Sequence, residues 1–238
     1  MSNRRTWDTF EAMRQAAGEG DAQAQCYLGV CFQNGQGVAQ DYHEAVKWFR
    51  RSAEQDDPVA QCYLGVCYLN GAGVPQEFGE AAKWLREAAE QDDPAAQFNL
   101  GMLYETGQGV TQNYVDAVKW YRESAEHGYP AAQFNLGVLY ETGQVVPQNY
   151  ELAVKWYQAA AEQECAPAQS NLGLCYHTGR GVEQNLSKAV QWFIKAARQG
   201  DKTAQHNLGL YYASVKEAEV AQAVETPETA GDAGTETP

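Results

Sequence analysis

The side chains that could do covalent or metal chemistry are sparse in this 238-residue chain, and their spacing works against it. His43-Glu44 opens the helical zinc pattern HExxH, in which two histidines four apart share a helix face and the glutamate activates water. The completing position holds Lys47, so the pattern fails. His177 and His206 could approach each other across neighbouring units, but no third ligand accompanies them. An acylating serine of the penicillin-binding type needs a lysine three residues on, and Ser52, Ser124, Ser170, Ser187 and Ser214 all lack it. Gly35-Gln36-Gly37 and its recurrences invite a phosphate-loop reading, yet such loops follow strands, and these close helices. No carboxylate pair stands apart from solvated helix faces. The expectation is a chain with no catalytic residue, no metal and no cofactor.

The elements that carry these residues repeat. Leu-Gly recurs at residues 28, 64, 100, 136, 172 and 208, always 36 residues apart, and Trp48, Trp84, Trp120, Trp156 and Trp192 keep the same interval. A strict period of this length marks stacked units that bury their apolar faces on one another. In the unit spanning 57–92, Asp57 caps a helix that has Pro58 at its first position, where a missing N–H costs nothing. Ala60, Leu64, Cys67 and Tyr68 follow at helical spacing. Gly65 sits inside that helix at a cost of about 1 kcal/mol, which implies that a second helix approaches closely there. Asn70-Gly71 ends the helix, Gly71 suiting a left-handed cap. The matching turn of the fourth unit, Gly143-Gln144-Val145-Val146, lacks the second glycine and should be less free to take positive φ. Second helices start near Asp41, Glu77, Asn113, Asn149 and Asn185, with capping-box-like pairs at Asp41/Glu44 and Asn113/Asp116. Trp84 should supply a large buried surface.

The pattern predicts an all-α, superhelical α-solenoid of antiparallel helix pairs: a capping helix within 1–20 with Trp7 over the open end, tandem repeats over 21–212 (about five plus a partial sixth), a capping helix over 213–224 and a disordered acidic tail over 225–238. The net charge is −14, of which −5 falls from Ala213 onward and −9 on the array. An acidic array repels phosphate backbones, so nucleic acid is not expected as a partner. No segment has the run of about 20 apolar residues that a membrane span needs, and the N-terminus lacks the apolar core of a secretory signal. Cys26 and Cys62 exchange with Phe98 and Phe134 at one repeat position, and Cys31, Cys67 and Cys175 with Leu103 and Leu139 at another. Cysteine therefore behaves as a small apolar residue, and reduced thiols suit the cytoplasm. Cys165 falls between units and is the expected reactive thiol.

The residues A-x-x-x-L-G-x-x-Y-x-x-G-x-G-V-x-Q, followed by a second helix of form (Y/F)-x-x-A-x-x-W, resemble the Sel-one-like repeat family, a relative of tetratricopeptide repeats, from Ala24 through Tyr212. The resemblance implies a right-handed superhelix whose concave face is lined by first helices. It also implies scaffold or adaptor roles in signalling, protein quality control, and bacterial envelope or host interaction. Some relatives are linked to penicillin binding; others are secreted and pair two cysteines in each repeat, a pattern missing here.

If Leu64, Cys67 and Tyr68 face the second helix, residues 62, 66 and 69 form another stripe. Across the central units it contains Phe98, Met102, Glu105, Phe134, Val138, Glu141 and Leu174, flanked by Asn99 and Asn135. The stripe is the candidate site for an amphipathic helix or extended peptide with basic residues beside apolar anchors. Phe98 and Phe134 could instead pack on neighbouring units, and inter-repeat bonding is the favoured use of the asparagines. The chain reads as a monomeric, non-catalytic adaptor that binds a protein or peptide. The alternatives are a hydrolase or penicillin-binding activity, or a secreted effector that meets host proteins.

Overall fold

A computed structural model describes residues 9–225 as twelve helices without a strand, with side chains through residue 216. Trp7 and the acidic tail, both assigned roles above, lie outside the described residues. The helices are α1 (Phe10–Gly18), α2 (Ala22–Asn34), α3 (Tyr42–Ala53), α4 (Pro58–Asn70), α5 (Phe78–Ala89), α6 (Pro94–Thr106), α7 (Tyr114–Glu126), α8 (Pro130–Thr142), α9 (Tyr150–Glu162), α10 (Ala166–Thr178), α11 (Leu186–Arg198) and α12 (Lys202–Glu225). Each helix packs on the one before and the one after it, which makes an all-α solenoid. Helices α2, α4, α6, α8 and α10 are first helices, α3, α5, α7, α9 and α11 their second helices, and α12 a sixth first helix.

Local chemistry sets the ends. Asp21, Asp57 and Asp93 accept hydrogen bonds from Ala24, Ala60 and Ala96 N–H as N-caps. Every first helix from α2 to α10 closes on a left-handed glycine, Gly35, Gly71, Gly107, Gly143 or Gly179. A turn glutamine then covers the helix end: Nε2 of Gln40, Gln76, Gln112, Gln148 and Gln184 donates to the carbonyl seven residues back at 2.7–2.8 Å. The capping boxes do not close. Glu44 pairs with Lys47, and Asn113 donates its amide to Asp116, because the Asp41 and Asn113 N–H groups already donate to Phe32 and Tyr104 carbonyls of the preceding helix.

The mid-helix glycines are the closest approach of each pair. A Cβ at Gly65 would stand 2.7 Å from Leu85, and one at Gly137 2.4 Å from Tyr157. In the turns, a Cβ at Gly73, Gly109 or Gly181 would strike the backbone carbonyl of Tyr42, Phe78 or Tyr150, each in the previous unit's second helix. Val145 occupies this place in the fourth turn and is not among the positive-φ residues. The tryptophans differ among units, and Trp84 is buried as expected. Trp48, Trp120, Trp156 and Trp192 are half-buried, with a cation over each ring at 4.1–5.8 Å. A lysine or arginine stem covers the outer ring face while its charge stays in water.

A column of buried glutamines sets the stacking register. Nε2 of Gln25, Gln61, Gln97, Gln133 and Gln169 donates to a carbonyl of the preceding second helix, from Ala17, Ala53, Ala89, Ala125 and Ala161 respectively. Four of the amide oxygens then accept from Gln55, Gln91, Gln163 and Gln199 of their own units, and Gln97 meets His127 Nδ1 at 3.0 Å. Each buried amide thus ties three helices together and leaves no polar atom stranded.

Candidate peptide-binding face

The solvent-facing side of the first helices is a column spaced i, i+4, i+7, i+11, the repeat of one helix face. In α6 it runs Ala95, Asn99, Met102, Thr106, and in α8 Ala131, Asn135, Val138, Thr142, all half-buried or exposed. In α4 the corresponding Val59 is 46% exposed, and in α10 Leu174 is half-buried. Asn99, Met102, Asn135, Val138 and Leu174 lie in this column, each half-buried. Phe98, Phe134, Glu105 and Glu141 stand one position round the helix, against the second helix of their own unit. Phe98 packs on Tyr121 and Tyr129, with ring centroids 5.6 and 5.3 Å apart, and Phe134 packs on Tyr157 at 6.0 Å. Both rings keep partial exposure, so they form the edge of the face more than its floor.

The carboxylates hold a second device. Tyr121 Oη donates to Glu105 Oε2 and Tyr157 Oη to Glu141 Oε2, each at 2.5 Å. Asn135 and Asn171, on the following first helices, hydrogen-bond the same two phenols. Burial first, and then the adjacent carboxylate, push both phenols above the usual tyrosine range. Asn99 instead donates to Ala95 O of its own helix at 2.8 Å. The amides at Asn135 and Asn171 thus serve inter-repeat bonding, and a backbone held here would have to compete for them. Sequence reasoning passed over Tyr121 and Tyr157. Their signal is a joint change: tyrosine replaces Phe49 and Leu85 in the two units where Glu105 and Glu141 appear and asparagine follows.

Charge is segregated between the two helix sets. Glu105 and Glu141 are the only carboxylates within α2, α4, α6, α8 and α10, and those helices contain no lysine or arginine. The ion pairs among the described residues are Arg14–Glu11, Lys47–Glu44 and Lys119–Glu123, each within one helix and none involving the two glutamates. The face is therefore apolar and amide-bearing, with negative charge along one edge.

All six cysteines are unpaired thiols. Burial, with Asp57 adding to it, pushes the Cys26 thiol up to about 12, and burial raises Cys67 and Cys175 to about 11. Cys165, half-buried at the start of α10, is the exception in exposure. His177 and His206 are exposed, and no described group of three His, Cys, Asp or Glu side chains is placed to hold a metal ion. No described helix is long and apolar enough to cross a membrane.

The repeat assigns the chain's relatives. Residues 22–57, 58–93, 94–129, 130–165 and 166–201 each match the Sel1 repeat. The chain belongs to the Sel1 repeat family. Arrays of Sel1 repeats are generally non-catalytic helical scaffolds for protein interaction. This Sel1 array is similar to a protective antigen present in uropathogenic Escherichia coli strains that displays the same fold: 38% identity, TM-score 0.77, covering 84% of this chain and 43% of that one. It is also similar to a Sel1 repeat protein from Oxalobacter formigenes: 35% identity, TM-score 0.80, covering 85% of this chain and 59% of that one. The chain thus spans about half the length of these two. A Sel1 repeat protein from Klebsiella pneumoniae, at 21% identity and TM-score 0.56 over 84% of this chain, shares the fold. No curated protein matches the chain.

Proposed function

We propose that this Sel1 array is a non-catalytic adaptor that holds a protein or peptide segment against its first helices, in the central units. The observation that carries the reading is the face itself. Met102, Val138 and Leu174 recur at one position of successive first helices and remain partly open, while the carboxylates beside them have no cationic partner among the described residues. A segment with apolar anchors and flanking lysine or arginine satisfies both features. The unpaired thiols support a reducing, cytoplasmic setting for this binding.

The test is affinity capture with mass spectrometry, comparing the full chain with Met102→Glu/Val138→Glu and with Phe98→Ala/Phe134→Ala, each checked by circular dichroism. Specific partners should be lost with the first pair and weakened with the second. An unchanged partner set in both folded variants would sink the reading. Turnover of penicillin-type or ester reporter substrates by the purified wild-type chain would overturn its non-catalytic part.

A further inference from the structure

Gly209 is unlike the other five glycines of the Leu-Gly pairs. A Cβ at Gly29, Gly65, Gly101, Gly137 or Gly173 would meet a second-helix side chain at 2.4–2.8 Å, whereas nothing lies within 4 Å of one at Gly209. Tyr212 is 55% exposed where its counterpart Tyr68 is 8% exposed. Leu208 is half-buried where Leu64 and Leu100 are fully buried. Helix α12 thus carries the surface that receives a second helix in five units. It runs on to Glu225 as one helix, so its own residues do not turn back to cover that surface.

At the other end of the array, α1 has the character of a second helix. Ala17 is buried at the position of Ala53 and Ala89, and α1 packs on α2 as α3 packs on α4. The next position back shows what the opposite side of α1 accommodates. Ser52 and Ser124, which correspond to Ala16, donate to carbonyls of their own first helices, Ala22 and Pro94, at 2.7 and 2.6 Å. Among the described residues no first helix packs on α1 in this way, and Ala12 and Ala16 keep exposure there.

We infer that α12 of one copy docks on α1 of a second copy, completing a helix pair at the junction, so that copies stack head to tail. The occupant is chosen by continuity with the interior. The surface α12 presents is filled by a second helix five times within the chain, and α1 is the second helix that lacks a first helix among the described residues. By register Met13, packed on α2, is the counterpart of the Phe49 and Leu85 side chains that meet these glycines, and Ala16 takes the place of the serines that bond the first helix in interior pairs. Such a contact joins two different surfaces and does not close on itself, so it produces a series of oligomers and not a single dimer. Each copy carries a charge of −14. Like charges oppose the encounter, so association strengthens as salt screens them. This departs from the monomer expected from sequence.

Sedimentation velocity of the full chain tests it, over a concentration series at salt on the order of 0.05 M and 0.5 M. The wild type should show an average mass that climbs with concentration, more steeply at high salt. Ala16→Glu spoils one end and Tyr212→Glu the other, so each variant alone should remain monomeric while keeping its helical circular dichroism. An equimolar mixture of the two should recover a one-to-one dimer, because each variant retains one competent end. A wild type that is monomeric at every concentration overturns the inference. So does a mixture that fails to dimerise, or oligomers that vanish with Tyr212→Glu but persist with Ala16→Glu, which would mean α12 pairing with α12.

Discussion

Tyr121 reaches from the second helix of the third unit to Glu105 on the first, 2.5 Å away, and Asn135 of the fourth unit shares its phenol. The fourth unit repeats the arrangement with Tyr157, Glu141 and Asn171. A hydrogen bond to a charged acceptor contributes roughly 1.5–3 kcal/mol, so Tyr121→Phe should destabilise the array by about 1–2 kcal/mol in urea unfolding. The ring itself is tolerated at this position, as Phe49 and Phe193 show. Combining Tyr121→Phe with Glu105→Leu, the apolar type found at Leu69, should cost less than the sum of the single changes. Additive costs would mean that the two side chains are not coupled.

The same pair dictates a pH dependence. Both phenols have folded pKa values raised above the unfolded value of about 10. Folding therefore favours their protonated form. That stabilisation is fully present below pH ~10 and is lost as pH rises beyond it. In a spectrophotometric titration near 295 nm, two tyrosines should ionise only as the chain unfolds. Tyr121→Phe/Tyr157→Phe should remove that late step, and its persistence in the variant would assign it elsewhere.

The Leu-Gly glycines separate helix propensity from packing. Gly101→Ala and Gly137→Ala place a Cβ 2.8 and 2.4 Å from the Tyr121 and Tyr157 rings, so each should destabilise by about 1–3 kcal/mol through overpacking. Within one chain a Cβ at Gly209 meets open space, so Gly209→Ala should stabilise the dissociated chain by up to about 1 kcal/mol through helix propensity. Calorimetric melting of the three variants checks the sign in each case.

The junctions between units need a left-handed residue, supplied by Gly20, Gly128 and Gly200 but by Asp56, Asp92 and Glu164 elsewhere. A long side chain in this region costs roughly 1–2 kcal/mol, part of which glycine gives back as unfolded-chain entropy. Glu164→Gly should therefore raise stability by about 0.5–1 kcal/mol. Asp92→Gly should gain less, since aspartate tolerates the conformation better. Equal or negative effects in chemical denaturation would contradict this.

Thiol accessibility gives a count. Five cysteines are buried and Cys165 is half-buried. At pH 8 an aromatic disulfide reagent should label about one thiol quickly in the folded chain and all six in denaturant. Cys165→Ser should abolish the fast phase, and a fast phase that survives would place the reactive thiol among the other five.

The 36-residue beat and the helix pairs are legible in the residues alone. A 36-residue recurrence of Leu-Gly, of Asp-Pro at helix starts and of Gly-x-Gly-Val at helix ends is local chemistry, legible one unit at a time. The close helix approach at Gly65 and the lack of positive φ at Val145 followed from that chemistry too. Which way each side of a first helix points is fixed by the stacking of the units. Residues 62, 98 and 134 differ from 63, 99 and 135 by one step, about 100° round the helix. That step turns a side chain from its own second helix, as Phe134 on Tyr157, towards the preceding unit, as Tyr63 on Phe49, and the apolar pattern is too broad to resolve it. The capping boxes failed for a related reason, since the N–H groups they needed were already bound to a neighbouring helix. The glutamine column and the Tyr–Glu–Asn clusters join residues 16–30 positions apart or in different units, so their partners exist only after stacking. Local rules read bonds made within a helix turn. What lies between helices waits on their packing.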